Sequence, residues 1–149
     1  MKLNWTLKPY PTLSLEELYA LLRLRSEVFV VEQTCAFQDI DGQDQTALHL
    51  LGRTETGELA AYTRLFDAGD CYAQVSIGRV VVSPAYRRSG LGQELMHQSI
   101  NACERAFGPQ PIKIGAQLYL KAFYESFGFA QQGDVYLEDG IEHIYMLRP

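Results

Sequence analysis

Residues 74–95 read Gln-Val-Ser-Ile-Gly-Arg-Val-Val-Val-Ser-Pro-Ala-Tyr-Arg-Arg-Ser-Gly-Leu-Gly-Gln-Glu-Leu. This stretch predicts a strand, a tight basic loop and the start of a helix. The β-branched run Val80–Val82 favours extended backbone, and Pro84 ends the strand because proline cannot donate to a ladder. Gly90 and Gly92 allow a tight turn before an amphipathic segment, so a helix is expected to begin between them.

The turn between this strand and this helix predicts an anion site. The first amides of a helix lack intrahelical partners, and the macrodipole places partial positive charge there. Arg87 and Arg88 precede the helix by about one turn. The sequence contains neither the Gly-Lys pair of a P-loop nor the Gly-x-Gly-x-x-Gly dinucleotide fingerprint. The loop therefore suits a pyrophosphate group held mainly by backbone donors.

Composition limits the class of protein. With 149 residues, 47% of them hydrophobic, the chain suits one domain spanning residues 1–149. A net charge of -5 argues against general nucleic-acid binding, which needs a basic face. Cys35, Cys71 and Cys103 are odd in number and widely spaced, which favours reduced thiols over disulfides or a zinc site. Without a signal peptide or an apolar run of about 18 residues, we expect a cytoplasmic protein with no membrane or metal partner.

The patterns along the chain predict the element order β, α, β, β, β, α, β, α, β, β. Ser14 and Glu17 form a capping box that starts the first helix, and Leu15, Leu18, Leu22, Val28 and Phe29 give it an apolar stripe through about residue 30. Hairpins are expected over residues 47–66 and 132–147, and a helix over 117–129, while a strand, a crossover helix and a strand imply a parallel pair. The fold class is α/β (α+β), with a mixed sheet of about seven strands flanked by helices.

The acidic segment 32–44 and two arginines within predicted strands can each be interpreted in more than one way. The segment 32–44 is acidic, and its Glu32, Asp39 and Asp41 either attract a cationic amine or form a solvated connection. Arg64 and Arg79 fall inside predicted strands, where a buried ion pair with one of these carboxylates is the favoured account. Gly78, also inside a strand, indicates a bulge or a close approach by a ligand.

Two motifs carry a resemblance to a known family. Arg87-x-x-Gly90-x-Gly92, after Val82-Ser-Pro, resembles the coenzyme A pyrophosphate loop of the GNAT superfamily of N-acetyltransferases. Tyr124-x-x-x-Gly-Phe129 resembles a second GNAT motif, although Gln117 stands where an asparagine is usual. The N-terminal third, with Arg25 and Glu32-Gln33, and the ending Glu138 to Ile144 are similar to the ElaA branch, so the likeness covers nearly the whole chain.

The resemblance implies a GNAT fold with a splayed parallel strand pair and an acetyl-CoA-dependent N-acetyltransferase in which the amine attacks the thioester directly. It implies that the Val82 amide stabilises the carbonyl oxygen and that Tyr124 protonates the departing thiolate. We take Glu32 and His143 as candidates for the base because a general base must work near neutral pH. The cofactor-binding candidates are Val80, Val81, Val82, Arg87, Arg88, Ser89, Gly90, Leu91, Gly92, Gln117 and Tyr124.

Two other functions remain as alternatives. One is a non-catalytic acyl-CoA-binding module that regulates a partner, and the other is an acyltransferase like the acyl-homoserine-lactone synthases, which share the fold. The acceptor is expected to be a small-molecule or peptide amine, and one sequence does not identify it. Strand edges of the terminal hairpin are expected either to pair in a homodimer or to be covered.

Overall fold

The computed structural model describes residues 2–149 and contains one mixed sheet with helices on both faces. The strands are β1 (Asn4–Pro9), β2 (Leu48–Arg53), β3 (Leu59–Phe66), β4 (Val75–Val82), β5 (Ile112–Gln117), β6 (Ala130–Glu138) and β7 (Ile141–Arg148). The helices are α1 (Leu15–Arg25), which continues as a π-helix over Ser26–Glu32, α2 (Leu91–Phe107) and α3 (Lys121–Glu125). The sheet order is β1-β2-β3-β4-β5-β7-β6, so the predicted fold class and element order are confirmed.

The parallel pair of β4 and β5 opens the sheet. The two strands pair only at Val75 with Ile112 and at Ser76 with Lys113, and the remainder of each strand has no ladder partner on the other. The pairing of β3 with β4 shifts in register between Tyr62 and Arg64. The shift marks a bulge in β4 directly after Gly78, at Arg79, whose φ is 51°. Because a bulge bends its strand, it directs β4 away from β5, and the predicted irregularity near Gly78 is confirmed.

The hydrophobic core lies on both faces of the sheet. On one face α2 packs Leu95, Met96 and Ile100 against the strands, and on the other α1 and the π-helix pack Leu21 and Val28 against β3 and β4. The clustering of Val80 and Val82 with α2 and of Val81 with α1 follows from the period of two in a strand. The free end of β4 is thereby held rigidly between two helical layers.

Local sequence signals were accurate in most elements. The Ser14–Glu17 capping box is present, and Asp139 and Gly140 have φ of 51° and 78°, as a type I′ turn requires. The prediction that Leu15 belongs to the core-facing stripe was wrong. Leu15 lies in the first turn of α1 and is 85% exposed.

The predicted helix over 117–129 was wrong in extent. Gln117 ends β5, a 3-10 turn covers Leu118–Leu120, and α3 has only five residues before the chain turns at Gly128. No helix within residues 2–149 has the length and apolar character needed to cross a membrane.

Candidate functional site

A cavity of about 560 Å³ lies where β4 and β5 separate. Its wall combines the end of β4, the loop before α2, the end of β5, α3, the segment after α1 and the β6–β7 turn. All predicted site residues line it except Ser89, which is exposed and donates its Oγ hydrogen to the Tyr86 carbonyl at 2.8 Å. The topology therefore brings together residues that are far apart in the sequence.

The N-terminus of α2 faces this cavity with free donors. Gly90 is the N-cap with φ of 74°, and no side chain caps the helix. The first helical hydrogen bond runs from the Glu94 amide to the Gly90 carbonyl, so the amides of residues 91–93 have no intrahelical acceptor. Only glycine adopts this left-handed conformation at low cost, which explains Gly90 at this position. The helix end can hold an anion against backbone N–H groups.

The end of β4 presents one backbone amide to the open cleft. The Ser83 amide donates to the Ala60 carbonyl on β3 at 2.8 Å. Because antiparallel neighbours alternate in direction, the preceding Val82 directs its N–H and C=O away from β3. The Arg87 Nε hydrogen bond to the Val82 carbonyl, at 3.3 Å, agrees with this direction. The Val82 amide thus lies on the strand edge that borders the cavity.

Tyr124, on α3, supplies a phenol to the cavity wall. The side chain is only 6% exposed and packs edge-on against Phe123 and Phe129, with ring centroids 5.2 and 6.1 Å away. Its hydroxyl has no hydrogen-bond partner among residues 2–149, and it lines the cavity. Burial raises the pKa of the Tyr124 phenol above its usual 10. The hydroxyl therefore stays protonated near neutral pH and is available as a donor.

His143 lies on β7, in the cavity wall beside the β6–β7 turn. Its Nδ1 is 2.7 Å from the Ile141 carbonyl, which accepts only if Nδ1 carries the proton. In the neutral ring, Nε2 then keeps its lone pair. The Glu138 carboxylate lies 3.4 Å from Nε2 and can stabilise the ring once it is protonated. Nε2 of His143 can therefore accept a proton, and the Glu138 carboxylate beside it can stabilise the charged ring.

Glu32 has a different environment from His143. Both of its carboxylate oxygens accept from the terminal nitrogens of Arg87, each at 2.7 Å. The hydrogen bond from Arg87 lowers the pKa of the Glu32 carboxyl below its usual value. A carboxylate with a lowered pKa accepts protons less readily, so while Arg87 holds Glu32, His143 is the better candidate for the base.

Several wall residues escaped the sequence analysis. Phe29 was assigned only to the core, Phe37 was unassigned, Cys35 was noted only as a reduced thiol, and Glu138 only in the last hairpin and the ElaA-like ending. All four line the cavity. Gln117 reaches the segment after α1, where its Nε2 donates to the Gln33 side chain at 3.3 Å. The sequence signal for these residues is weak, because aromatic and polar residues in loops occur in most proteins.

Three arginines and three aspartates form a buried network beside the cavity. Arg64 donates to Asp41 and Asp44, and Arg79 donates to Asp39 and Asp41, which confirms the predicted ion pairs for both arginines. The network holds the acidic segment against β3 and β4. Its carboxylates are paired with arginines, so this segment does not supply the free negative charge that an amine-attracting loop would need.

Arg25, the third arginine, was missed as a member of this network. Its fully buried guanidinium donates to Asp39 at 2.9 Å and to Asp44 at 2.7 Å. A signal existed, because Arg25 falls at helical spacing with the buried Leu21 and Val28.

The network predicts an acid-sensitive fold. Burial opposes ionisation of Asp41, but hydrogen bonds from Arg64 and its charge outweigh this and lower the pKa of Asp41 from 3.8 to about 2. A carboxyl with a lowered folded-state pKa adds stability above pH 3.8 that disappears as the pH falls towards 2. We expect the free energy of unfolding to fall by about 2 kcal/mol between these limits from Asp41 alone. Urea titrations at pH 5, 4, 3 and 2 check this, and Asp41→Asn should flatten the profile.

Comparisons with known proteins agree with this geometry. The model of the acetyltransferase (GNAT) domain family matches residues 11–148. Protein ElaA of Escherichia coli K12 is 46% identical over 148 residues, 98% of this chain and 96% of that protein. The crystal structure of Escherichia coli ElaA superposes with a TM-score of 0.91 at 45% identity, covering 99% of each chain.

Two further solved structures are informative. An acyl-CoA N-acyltransferase from Pseudomonas aeruginosa is 47% identical, with a TM-score of 0.93 over 99% of this chain and 100% of that one. The AHL synthase LasI has a TM-score of 0.77 at 12% identity over 97% of this chain and 88% of that one. At that identity the likeness to LasI concerns the fold alone.

Proposed function

Because the chain belongs to the GNAT acetyltransferase family, in its ElaA-like branch, we propose that it transfers an acetyl group from acetyl-CoA to a primary amine. The amine belongs to a small molecule or a peptide. One observation carries the proposal: the uncapped N-terminus of α2 opens onto the cleft between β4 and β5. A diphosphate and an extended pantetheine arm need these two features side by side.

The residues of the cleft fit coenzyme A. The free amides at the start of α2 and the charges of Arg87 and Arg88 would hold the diphosphate. The unpaired edges of β4, over Val80–Val82, and of β5, at Gln117, would pair with the amides of the pantetheine arm. When bound, acetyl-CoA supplies an activated thioester that an amine attacks directly, forming the C–N bond as the C–S bond breaks.

The chain would contribute three groups to this transfer. The Val82 N–H, on the open edge of β4, would stabilise negative charge on the carbonyl oxygen. The protonated Tyr124 would give its hydrogen to the departing sulfur. The Nε2 of His143 would accept the proton that the amine loses, with Glu138 beside it.

Calorimetry and an acetylation screen test the proposed function together. We expect purified protein to bind CoA with measurable heat and to acetylate at least one amine in a panel of polyamines, amino compounds and peptides. Binding without turnover on any amine would favour the regulatory module. A donor panel in which long acyl chains outcompete acetyl-CoA would favour the homoserine-lactone-synthase-like function. No heat from CoA would overturn the proposal.

Replacing Gly90 by alanine should weaken CoA binding. The residue has φ of 74°, and a side chain costs about 1–2 kcal/mol in the left-handed region. If the loop relaxes to a right-handed conformation, the first amides of α2 no longer converge, and we expect the Kd for CoA to rise at least fivefold by calorimetry.

Gly57→Ala is the matched control for Gly90→Ala. Gly57 has φ of 89° in the β2–β3 turn, away from the cavity wall, so the substitution adds similar strain elsewhere. CoA affinity should stay within twofold of the wild type. Equal affinity in both variants would argue against the loop as the diphosphate site.

We also propose a cellular location and an assembly for the protein. Cys35, Cys71 and Cys103 are free thiols, which suits the reducing cytoplasm. The edge strand β6 is exposed along most of its length and can pair with a second copy, so a homodimer remains our proposal for any assembly.

A further inference from the structure

The segment of residues 28–37, which we call the strap, contacts both sides of the cleft. Its backbone follows a π-helix, with the Gln33 amide bonded to the Val28 carbonyl at 3.2 Å and the Cys35 amide to the Val30 carbonyl at 3.1 Å. π-helical turns are rare and occur often at functional sites. The strap also supplies Phe29, Gln33 and Phe37 to the cavity wall.

Three side-chain contacts tie the strap to the rest of the site. Glu32 binds Arg87 in the loop before α2, and Gln33 accepts from Gln117 at the end of β5. The Cys35 thiol lies 3.7 Å from the carbonyl of Asp139 in the β6–β7 turn. The first two of these contacts involve Arg87 and Gln117, which the proposed function assigns to the cofactor.

The bond between Glu32 and Arg87 occupies the arginine. Both terminal nitrogens donate to the carboxylate at 2.7 Å, and Nε donates to the Val82 carbonyl at 3.3 Å. The two side chains are 42% and 39% exposed, so solvent reaches the pair. These bonds use three of the five guanidinium N–H donors, and the edge formed by the two terminal nitrogens can pair with only one anion at a time. A diphosphate at the start of α2 must therefore compete with Glu32 for Arg87.

We propose that Glu32 is a latch that acetyl-CoA displaces: the diphosphate takes Arg87, and the Glu32 carboxylate is released into the cavity wall as an unpaired negative charge. This inference rests on the proposed function, which places the diphosphate in this loop. It makes Glu32 a positioning residue that responds to the cofactor.

The release of Glu32 bears on the acceptor. The carboxylates of the acidic segment, Asp39, Asp41 and Asp44, are already paired with arginines. Glu138 and Asp139 line the cavity from the β6–β7 turn and have no arginine partner among residues 2–149. Binding of acetyl-CoA thus adds one free negative charge on the strap. Phe29 of the strap lies in the same cavity wall. An acceptor with an ammonium group would gain an additional carboxylate partner in the loaded enzyme. The latch therefore favours a cationic amine that binds after the cofactor, and the two ligands would raise each other's affinity.

Calorimetry of CoA binding to three proteins tests the competition. Glu32→Gln removes the charge that holds Arg87, and we expect its Kd for CoA to be about threefold lower than that of the wild type, or about 0.7 kcal/mol at 1.4 kcal/mol per tenfold. Glu27→Gln is the matched control, because Glu27 acts on Arg87 through space without a hydrogen bond. Its Kd should stay within twofold of the wild-type value.

A spectroscopic titration reads the release itself. The ¹³C chemical shift of the Glu32 carboxyl, followed against pH, should give a low pKa without CoA and a higher one at saturating CoA. A Glu32 pKa that CoA does not move would overturn the latch, as would equal or weaker CoA binding by Glu32→Gln. Absence of CoA binding in all three proteins would overturn the proposed function and the latch together, whereas binding with no Glu32 effect would overturn the latch alone.

Discussion

Replacing Tyr124 by phenylalanine is expected to lower turnover at least tenfold and leave CoA affinity nearly unchanged. The substitution removes only a hydroxyl that has no hydrogen-bond partner among residues 2–149, and the ring keeps its contacts with Phe123 and Phe129. A tenfold loss corresponds to about 1.4 kcal/mol in the barrier. General acids contribute about 10²–10⁴-fold, but burial raises the pKa of this phenol and weakens it as an acid, so we set the smallest expected loss at about tenfold, below that range.

Single-turnover kinetics at saturating acetyl-CoA, with calorimetry of CoA binding, measure this effect. Tyr119→Phe is the matched control, because Tyr119 lines the same cavity but is 75% exposed, and its turnover should stay within twofold of the wild type. Wild-type turnover in Tyr124→Phe would remove this residue from the mechanism. Equal losses in both variants would indicate a general effect of the wall and not proton transfer.

The features predicted from the sequence are those that neighbouring residues determine. A β-branched run, a proline and two glycines specify the strand, loop and helix around residues 80–92 whatever lies elsewhere. The same holds for the Ser14 capping box and the Asp139-Gly140 turn, where side chains or backbone angles act within four residues. These signals correctly predicted the strand, the loop and the helix, whereas the splayed strand pair was expected only from the family resemblance.

The features missed depend on contacts between distant parts of the chain. Glu32 and Arg87 are 55 positions apart, and Arg25 and Asp44 are 19 apart, so spacing carries no trace of either pair. Gly78 indicated the bulge, but the left-handed backbone falls on Arg79, a non-glycine residue at φ of 51°, whose side chain is bonded to Asp39. Tertiary contacts therefore decide how the acidic segment is held beside the cavity.

Replacing Arg25 by methionine is expected to lower the free energy of unfolding by about 3 kcal/mol, the lower end of the range for breaking a buried ion pair. Arg25 is fully buried, and methionine has a similar length but leaves Asp39 and Asp44, each about 5% exposed, short of one cation. Arg64 and Arg79 still bind these carboxylates, which keeps the loss from being larger. Urea unfolding at pH 7 measures it.

The control and the pH dependence separate lost charge from lost packing. Arg23→Met changes an exposed arginine of the same helix and should cost less than about 0.5 kcal/mol. Because Arg25→Met leaves buried carboxylates under-neutralised, protonation should relieve it, so the difference from the wild type should shrink as the pH falls from 7 towards 3. A difference that does not change with pH would mean that Arg25 acts by filling space. A loss below 1 kcal/mol at pH 7 would mean that Arg64 and Arg79 suffice to hold the acidic segment beside the cavity.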